Sequence, residues 1–251
     1  MTSLRHACIA ACLVLGVWAG SVDARGAAVP GIRAAGVARV SVAPGAGALP
    51  AAAGLRGFHY TNANARLDRN RTRLSTTAAD VVASGFAQTP LRGRVYVEAA
   101  IHHGGQHAAG VSLWGEAPGR LRDDAHPGRS YGSGGASAQA VSAWTVMAYA
   151  NYGLPGDTKV EMGALPGTPD QRIVIQVAVD ADTRAVWMKL LGTGRWAGGG
   201  DPATGVRPTF VLGGTGPILV GGNVSNPASH VELLAPAHYT GAVPAGFVPF
   251  G

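Results

Sequence analysis

The sequence predicts an all-β fold, a sandwich of two antiparallel sheets, on three observations. Charged residues make up only 14% of the chain while glycine numbers 38 and proline 16, scattered throughout; this punctuation favours short strands joined by turns over long helices. Two stretches alternate with the two-residue period of a strand. In the first, Val95, Val97, Ala99 and Ile101 fall on one face and Arg94, Tyr96 and Glu98 on the other. In the second, Ile173, Ile175, Val177 and Val179 alternate with Val174, Gln176 and Ala178, and the turn-type run Asp180–Arg184 leads into a returning strand over Ala185–Leu191. These three features define a hairpin and a half-buried strand, the working parts of a sandwich.

The chain opens on a different texture. Arg5 and His6 precede an apolar run, Ala7–Gly20, and Val22-Asp23-Ala24 places small residues where a signal peptidase reads, so residues 1–24 are expected to be a signal peptide and the protein secreted or periplasmic. The apolar run is shorter than the roughly 20 residues of a membrane span. Ile9–Cys12 has a lipobox pattern, but the apolar run continues past it to Trp18, which favours soluble export. Both cysteines, Cys8 and Cys12, lie in this segment, so the mature chain has no thiol chemistry and must be held by its core. Residues 25–56 are nearly all Ala, Gly, Val and Pro, the composition of a linker or leader. The β domain spans 57–251.

Within that domain the order of elements follows from local pattern. Phe58, His59 and Tyr60 form the first aromatic cluster, and Arg66–Arg73 carries arginines against Asp68, a solvated face. Residues 81–86 lead into the Arg94–Ile101 strand. His102, His103 and His107 then flank a Gly-Gly turn, with 108–114 as the returning strand. A zinc site there would need a fourth ligand and an outer shell that the neighbourhood lacks, so an exposed hairpin tip without metal is expected. Gln139–Tyr149 reads as one strand and Lys159–Met162 as a short one. Thr209–Leu212, Ile218–Val220, Val224 and His230–Leu234 supply the remaining short strands.

The formal charge of +6 survives removal of residues 1–24, and the excess is arginine, because Lys159 and Lys189 are the only lysines. Evenly spread arginines serve solubility, and no basic block interleaves with aromatics, which argues against nucleic acid. The sequence contains no Gly-x-Ser-x-Gly elbow, no His-Glu-x-x-His and no phosphate loop, and no cofactor is implied. Asp180 and Asp182 sit at a hairpin tip, where aspartate is the expected turn residue, and Glu98 and Glu161 are on separate strands. No acid/base pair of the kind glycosidases need is formed by proximity in sequence. Recognition chemistry remains. Aromatics in loops offer contact area at small entropic cost, and on that ground Tyr131, Tyr152 and Trp196, with Arg195 and Asp201 beside the last, are the candidate ligand-binding residues.

The succession of these pieces resembles SPRY (B30.2-like) domains. Gly93-Arg-Val-Tyr-Val-Glu98 is similar to that family's G-K-x-Y-x-E strand, Gly110–Leu113 to its V-G-I strand, and Ser130-Tyr-Gly132 to its S-Y-G segment. Ile173–Asp180 and Ala185–Lys189 resemble the two strands that follow. Arg195–Gly205 is similar to the W-x-x-G-x-P-A-x-G loop of bacterial and phage SPRY-like sequences, and Val243–Phe247 to their closing segment. The resemblance runs from Gly57 onward. Three positions depart from it: Leu191–Gly194 replaces the usual Asn-Gly turn, Trp187 stands where phenylalanine is usual, and Asn223-Val-Ser225 replaces N-F-G. The resemblance implies a concanavalin A-like sandwich with a non-catalytic binding face built from loops, with Tyr131 and the Trp196 loop as surface positions. The expected function is an exported recognition module, not an enzyme, for a protein or surface glycan. A polysaccharide-active hydrolase or lyase, or a structural envelope component, are the rival readings on the same architecture.

Overall fold

A computed structural model describes residues 57–79, 81–104, 109–115, 135–141, 145–150, 157–164 and 171–251, all within the compact unit Ala48–Gly251. The expected signal and linker, Tyr131, Tyr152 and His107 lie outside the described residues.

Among the described residues fifteen strands form two sheets. The first seven-stranded sheet, A, is built from β1 (Phe58–Thr61), β4 (Ala83–Ala87), β6 (Ala109–Trp114), β7 (Gly135–Val141), β8 (Thr145–Ala150), β9 (Thr158–Ala164) and β13 (Leu219–Val224), in the order β1-β4-β13-β6-β7-β8-β9. Sheet B runs β12-β11-β10-β5-β14-β3-β2, made of β2 (Ala65–Leu67), β3 (Arg73–Thr76), β5 (Arg94–His103), β10 (Gln171–Asp180), β11 (Ala185–Leu190), β12 (Phe210–Val211) and β14 (His230–Leu233). Its eighth strand, β15 (Val248–Pro249), adds parallel to β5 at Val95 and Tyr96. Every other pairing is antiparallel. The protein is a two-sheet antiparallel β-sandwich.

The alternation in β5 and β10 does what a two-residue period requires. Val95, Val97, Ala99 and Ile101 pair across the ladder with Val179, Val177, Ile175 and Ile173. All eight face a core shared with Val111 and Leu113 of β6, Val220 of β13, and Met188 and Leu190 of β11. Burial of each such aliphatic side chain contributes about 1.5–3 kcal/mol, which is how a chain with no disulfide in this domain is held.

Three expectations need correction. The imidazoles at 102–103 do not begin a hairpin: β5 pairs with β10 and β14 in sheet B, whereas β6 pairs with β13 and β7 in sheet A. The Gly104 segment therefore crosses between sheets, and His103, on the core face, is buried. The expected single strand at 139–149 is two antiparallel strands, β7 and β8, in register from Ala136↔Ala150 to Val141↔Thr145. Residues 219–220 and 224 belong to one strand, carried through Gly221-Gly222, while Ile218 just before it makes an isolated bridge to Leu91. A Cβ at Gly221 would run into the Gly85 carbonyl of β4, so the close approach of those two strands requires glycine there.

The outer face of sheet B is where the two halves of the molecule's surface differ. After β14 the chain turns through a 3-10 turn at Pro236–His238 and passes back over β5 and β10 before ending as β15. This strap covers the outer face of β5 from Tyr96 to Ala100, where Leu234 and Tyr239 pack on Ala100 and Val174, and leaves the end at His102 partly exposed.

Candidate functional site

Beneath the strap, β5 is buried on both faces, which corrects its reading as a half-buried strand. Tyr96 and Glu98, on the face opposite the core, are 0% exposed. A buried carboxylate without a cation must be compensated by hydrogen bonds, and Glu98 accepts five. Tyr96 Oη donates at 2.6 Å, Gln176 Nε2 at 3.2 Å and the Gly241 N–H at 2.7 Å to Oε1; the Thr240 N–H at 2.8 Å and Thr240 Oγ1 at 3.1 Å donate to Oε2. Burial pushes this carboxyl up, but the bonds from Tyr96, Thr240, Gly241 and Gln176 outweigh it and hold Glu98 below the usual value, so it is ionised. Burial, then the bond to this carboxylate, pushes the Tyr96 phenol far up, so it stays a donor. Gln176 lies directly across the ladder from Glu98. A Cβ at residue 241 would run into the Gln176 amide, so Gly241 is what lets the strap descend to the carboxylate. Glu98 is thus the pin of the strap, and its proton chemistry is enclosed.

Next to this pin lies an aromatic cluster that seats the loop following β11. Tyr96, Ala178, Ala185, Trp187 and Phe247 pack together, with Trp196, Tyr239 and Val243 against them. Trp187, 1% exposed, meets Phe247 edge to face at 6.3 Å and donates its Nε1–H to the Val206 carbonyl at 3.0 Å. Phenylalanine at 187 would supply the area but not the donor, so this departure from the SPRY pattern has a structural purpose. Arg94 joins the same assembly from β5. Its guanidinium lies 4.4 Å from the Phe247 ring centroid, bonds the Pro202 carbonyl and sits 3.9 Å from Asp180.

The predicted binding residues divide on this scaffold. Trp196 is half-buried, its ring held against the Trp187 cluster with Lys189 Nζ 5.8 Å from its centroid. Arg195 is exposed, as is the whole of Leu191–Gly194 before it. That turn is tight: Thr193 donates from N and Oγ1 to the Leu190 carbonyl at 3.2 and 2.8 Å, between Gly192 and Gly194 at φ 94° and 76°. Asp201 is exposed but occupied, accepting from the Ala203 N–H at 2.9 Å and Thr204 Oγ1 at 2.8 Å to close its own turn. The structure brings Arg195 and Trp196 to the flank of β11 beside Lys189. It places Asp201 in a separate turn tied to Trp187 and Arg94 through Val206 and Pro202. Tyr131 and Tyr152 lie outside the described residues. Asp180 behaves as the turn residue expected, accepting from the backbone N–H of Asp182 and Thr183 at 3.2 and 3.1 Å. Among the described residues no group of three His, Cys, Asp or Glu is placed to hold a metal, and no helix is long and apolar enough to cross a membrane.

Sequence reasoning missed two features. Lys189 gave no signal beyond its place on the alternating face of β11. Glu98 gave one: an acid in a strand whose cross-strand neighbour is an amide.

This architecture is that of the SPRY domains. The SPRY domain of human HERC1 superposes with a TM-score of 0.51 at 14% identity, over 73% of this chain and 100% of that one. The TRIM65 PSpry domain (TM-score 0.45, 11% identity, 72% of this chain and 89% of that one) and the potassium-bound carbohydrate recognition domain of Emp46p (0.44, 10%, 70% and 86%) are also similar in structure. No family model matches the sequence, and no curated protein matches it. The likeness is one of fold: a SPRY-like β-sandwich.

Proposed function

We propose that the domain is an exported, non-catalytic recognition module that binds a protein or glycan ligand through the loop following β11. The observation that carries this is Trp196, whose ring is fixed by the Trp187 cluster while it remains half-exposed beside Lys189 and the exposed Leu191 and Arg195. A pre-positioned aromatic flanked by cations supplies area, a stacking face and hydrogen-bond donors at little entropic cost, the make-up of a binding hot spot. The non-catalytic reading is supported by the state of the acids. Glu98 is sealed under the strap with both oxygens engaged, and Asp180 and Asp201 hold turns. That HERC1's matching chain is a SPRY domain agrees with a recognition role.

Glycan-array and pull-down measurements on the wild type and Trp196→Ala test the site. Ligand captured by the wild type is expected to be lost by the variant; equal capture by both removes Trp196 from the site. Export is tested separately by the intact mass of protein recovered outside the cytoplasm, which should begin at Arg25.

A further inference from the structure

Beyond the strap the outer face of sheet B is open, and the register lays a row of basic and imidazole side chains across it. Arg172 of β10 pairs with His102 of β5, and His102 with His230 of β14. The register Val231↔Leu74, carried one residue on, sets His230 beside Ser75 of β3, which pairs with Arg66 of β2. Val231, Leu74 and Ile101 face the core, so these five residues share the outer face. Four strand spacings separate Arg172 from Arg66, about 19 Å. The two imidazoles at the centre stack at 4.7 Å with their planes 7° apart. Both are half-buried, and Arg172 and Arg66 are exposed.

We propose that this row is a docking track for a linear anionic polysaccharide, sulfated or carboxylated, distinct from the loop after β11. The charge of the face selects an anion. Arg66, Arg73 and Arg172 are its cations. The facing acids are Glu232, which lies across the ladder from Arg73, and Asp68, whose Oδ1 already accepts from the backbone N–H of Thr72 and Arg73 at 2.8 and 3.0 Å. The one ion pair among the described residues is Arg94–Asp180, under the strap, so Arg66 and Arg172 keep their guanidinium forks for a ligand. Between them, at roughly 5 Å intervals, the imidazole N–H groups add donors and the Ser75 hydroxyl, which itself donates to the Arg66 carbonyl at 3.5 Å, adds an acceptor. His230 is kept neutral by burial, Arg73 and His102, with a value of about 4, so it offers both a donor and a face for a sugar ring.

The form of the track favours a polysaccharide over other polyanions. Among the described residues the row carries no Trp, Tyr or Phe on which bases could stack, unlike single-strand nucleic acid sites. Among the described residues the exposed large apolar side chains are Leu191, Val206, Val211 and Val248; of these Leu191 alone, beside Val174 in the ladder, borders this face, and one aliphatic side chain is too little to insert into a bilayer.

Calorimetric titration of the full chain with size-defined dextran sulfate, neutral dextran, oligodeoxythymidine and anionic phospholipid vesicles tests the proposal. Wild type is expected to bind dextran sulfate with an affinity that falls as salt rises, and to leave neutral dextran unbound. Arg66→Ser/Arg172→Ser should bind at least ~10-fold more weakly, and Ser75→Arg, which adds a cation to the row, several-fold more tightly. Arg92→Ser/Arg207→Ser lowers the net charge equally elsewhere and should bind as wild type does. Tighter binding of oligodeoxythymidine or vesicles than of dextran sulfate overturns the proposal. So does an equal loss in both double variants, or no gain from Ser75→Arg.

Discussion

The outer face of sheet B has a covered half and an open half, and both are built on the same strand. Toward Arg94, β5 presents Tyr96 and Glu98 to a strap that buries them; toward His103 it presents His102 to solvent beside Arg172 and His230. On the covered side the charges are internally matched: Glu98 has five hydrogen-bond donors, and Arg94 faces Asp180. On the open side Arg66, Arg73 and Arg172 outnumber Glu232 and Asp68, and Arg66 and Arg172 have no acid across the ladder. The contrast shows two solutions for polar residues on a sheet face. Where another segment can be laid down, the sheet supplies an acceptor and the segment supplies N–H groups. Where nothing is laid down, the charges remain for something outside the chain.

The sharpest way to break this comparison is at the pin. Glu98→Ala leaves the Thr240 and Gly241 N–H groups and the Tyr96 hydroxyl without their acceptor, and is expected to cost about 3 kcal/mol in urea unfolding. Next comes Gly241→Ala, whose Cβ meets Gln176; lifting the strap by that amount should cost about 2 kcal/mol. Hydrogen exchange at Thr240 and Val248 should rise with it, while exchange in β7 and β8 stays as in the wild type. Arg94→Ala removes the cation over Phe247 and a bond to the Pro202 carbonyl, for a loss of about 1 kcal/mol.

Two pH dependences separate the halves. The folded-state value of Glu98 is lowered from 4.5, so its contribution is present above that value and lost as pH falls below it. Glu98→Gln should therefore flatten the acid limb of the stability curve. The folded-state value of His230 is lowered from 6.5 to about 4, so below 6.5 the unfolded chain takes up a proton that the folded chain refuses. Stability falls as pH drops through that window. His230→Asn should remove this smaller slope, measured as melting temperature against pH.

Much of the fold was legible because two-residue periodicity is a local property. β5, β10 and β11 follow from their own residues, as does the Asp180 turn. The solvent exposure of β5's second face was not legible, because what covers it lies 142 residues away at Thr240. Alternation tells which residues share a face and not what lies above them. The sheet crossing at Gly104 was hidden for a related reason: a Gly-Gly pair serves a hairpin and a crossover equally well. In the candidate site, Trp196 was found because a large aromatic in a glycine-rich loop is conspicuous. Lys189 and Trp187 were not assigned their parts, since the loop's path back over β11 depends on the Val206 carbonyl meeting the Trp187 indole.

The strap also bears on the order in which the protein acquires its structure. Glu98 lies in the first half of the domain, and its backbone donors, Thr240 and Gly241, are 142 and 143 residues further along. During synthesis that carboxylate emerges long before the groups that satisfy it. The β5–β10 ladder can assemble first, but its outer face stays wet and charged until the strap arrives. Closing so long a loop is slow relative to forming neighbouring hairpins. The pin is therefore expected to close late, and a chain whose strap has not docked would expose Tyr96 and Trp187 on the sheet and Phe247 on the strap, apolar surface suited to chaperone capture or self-association.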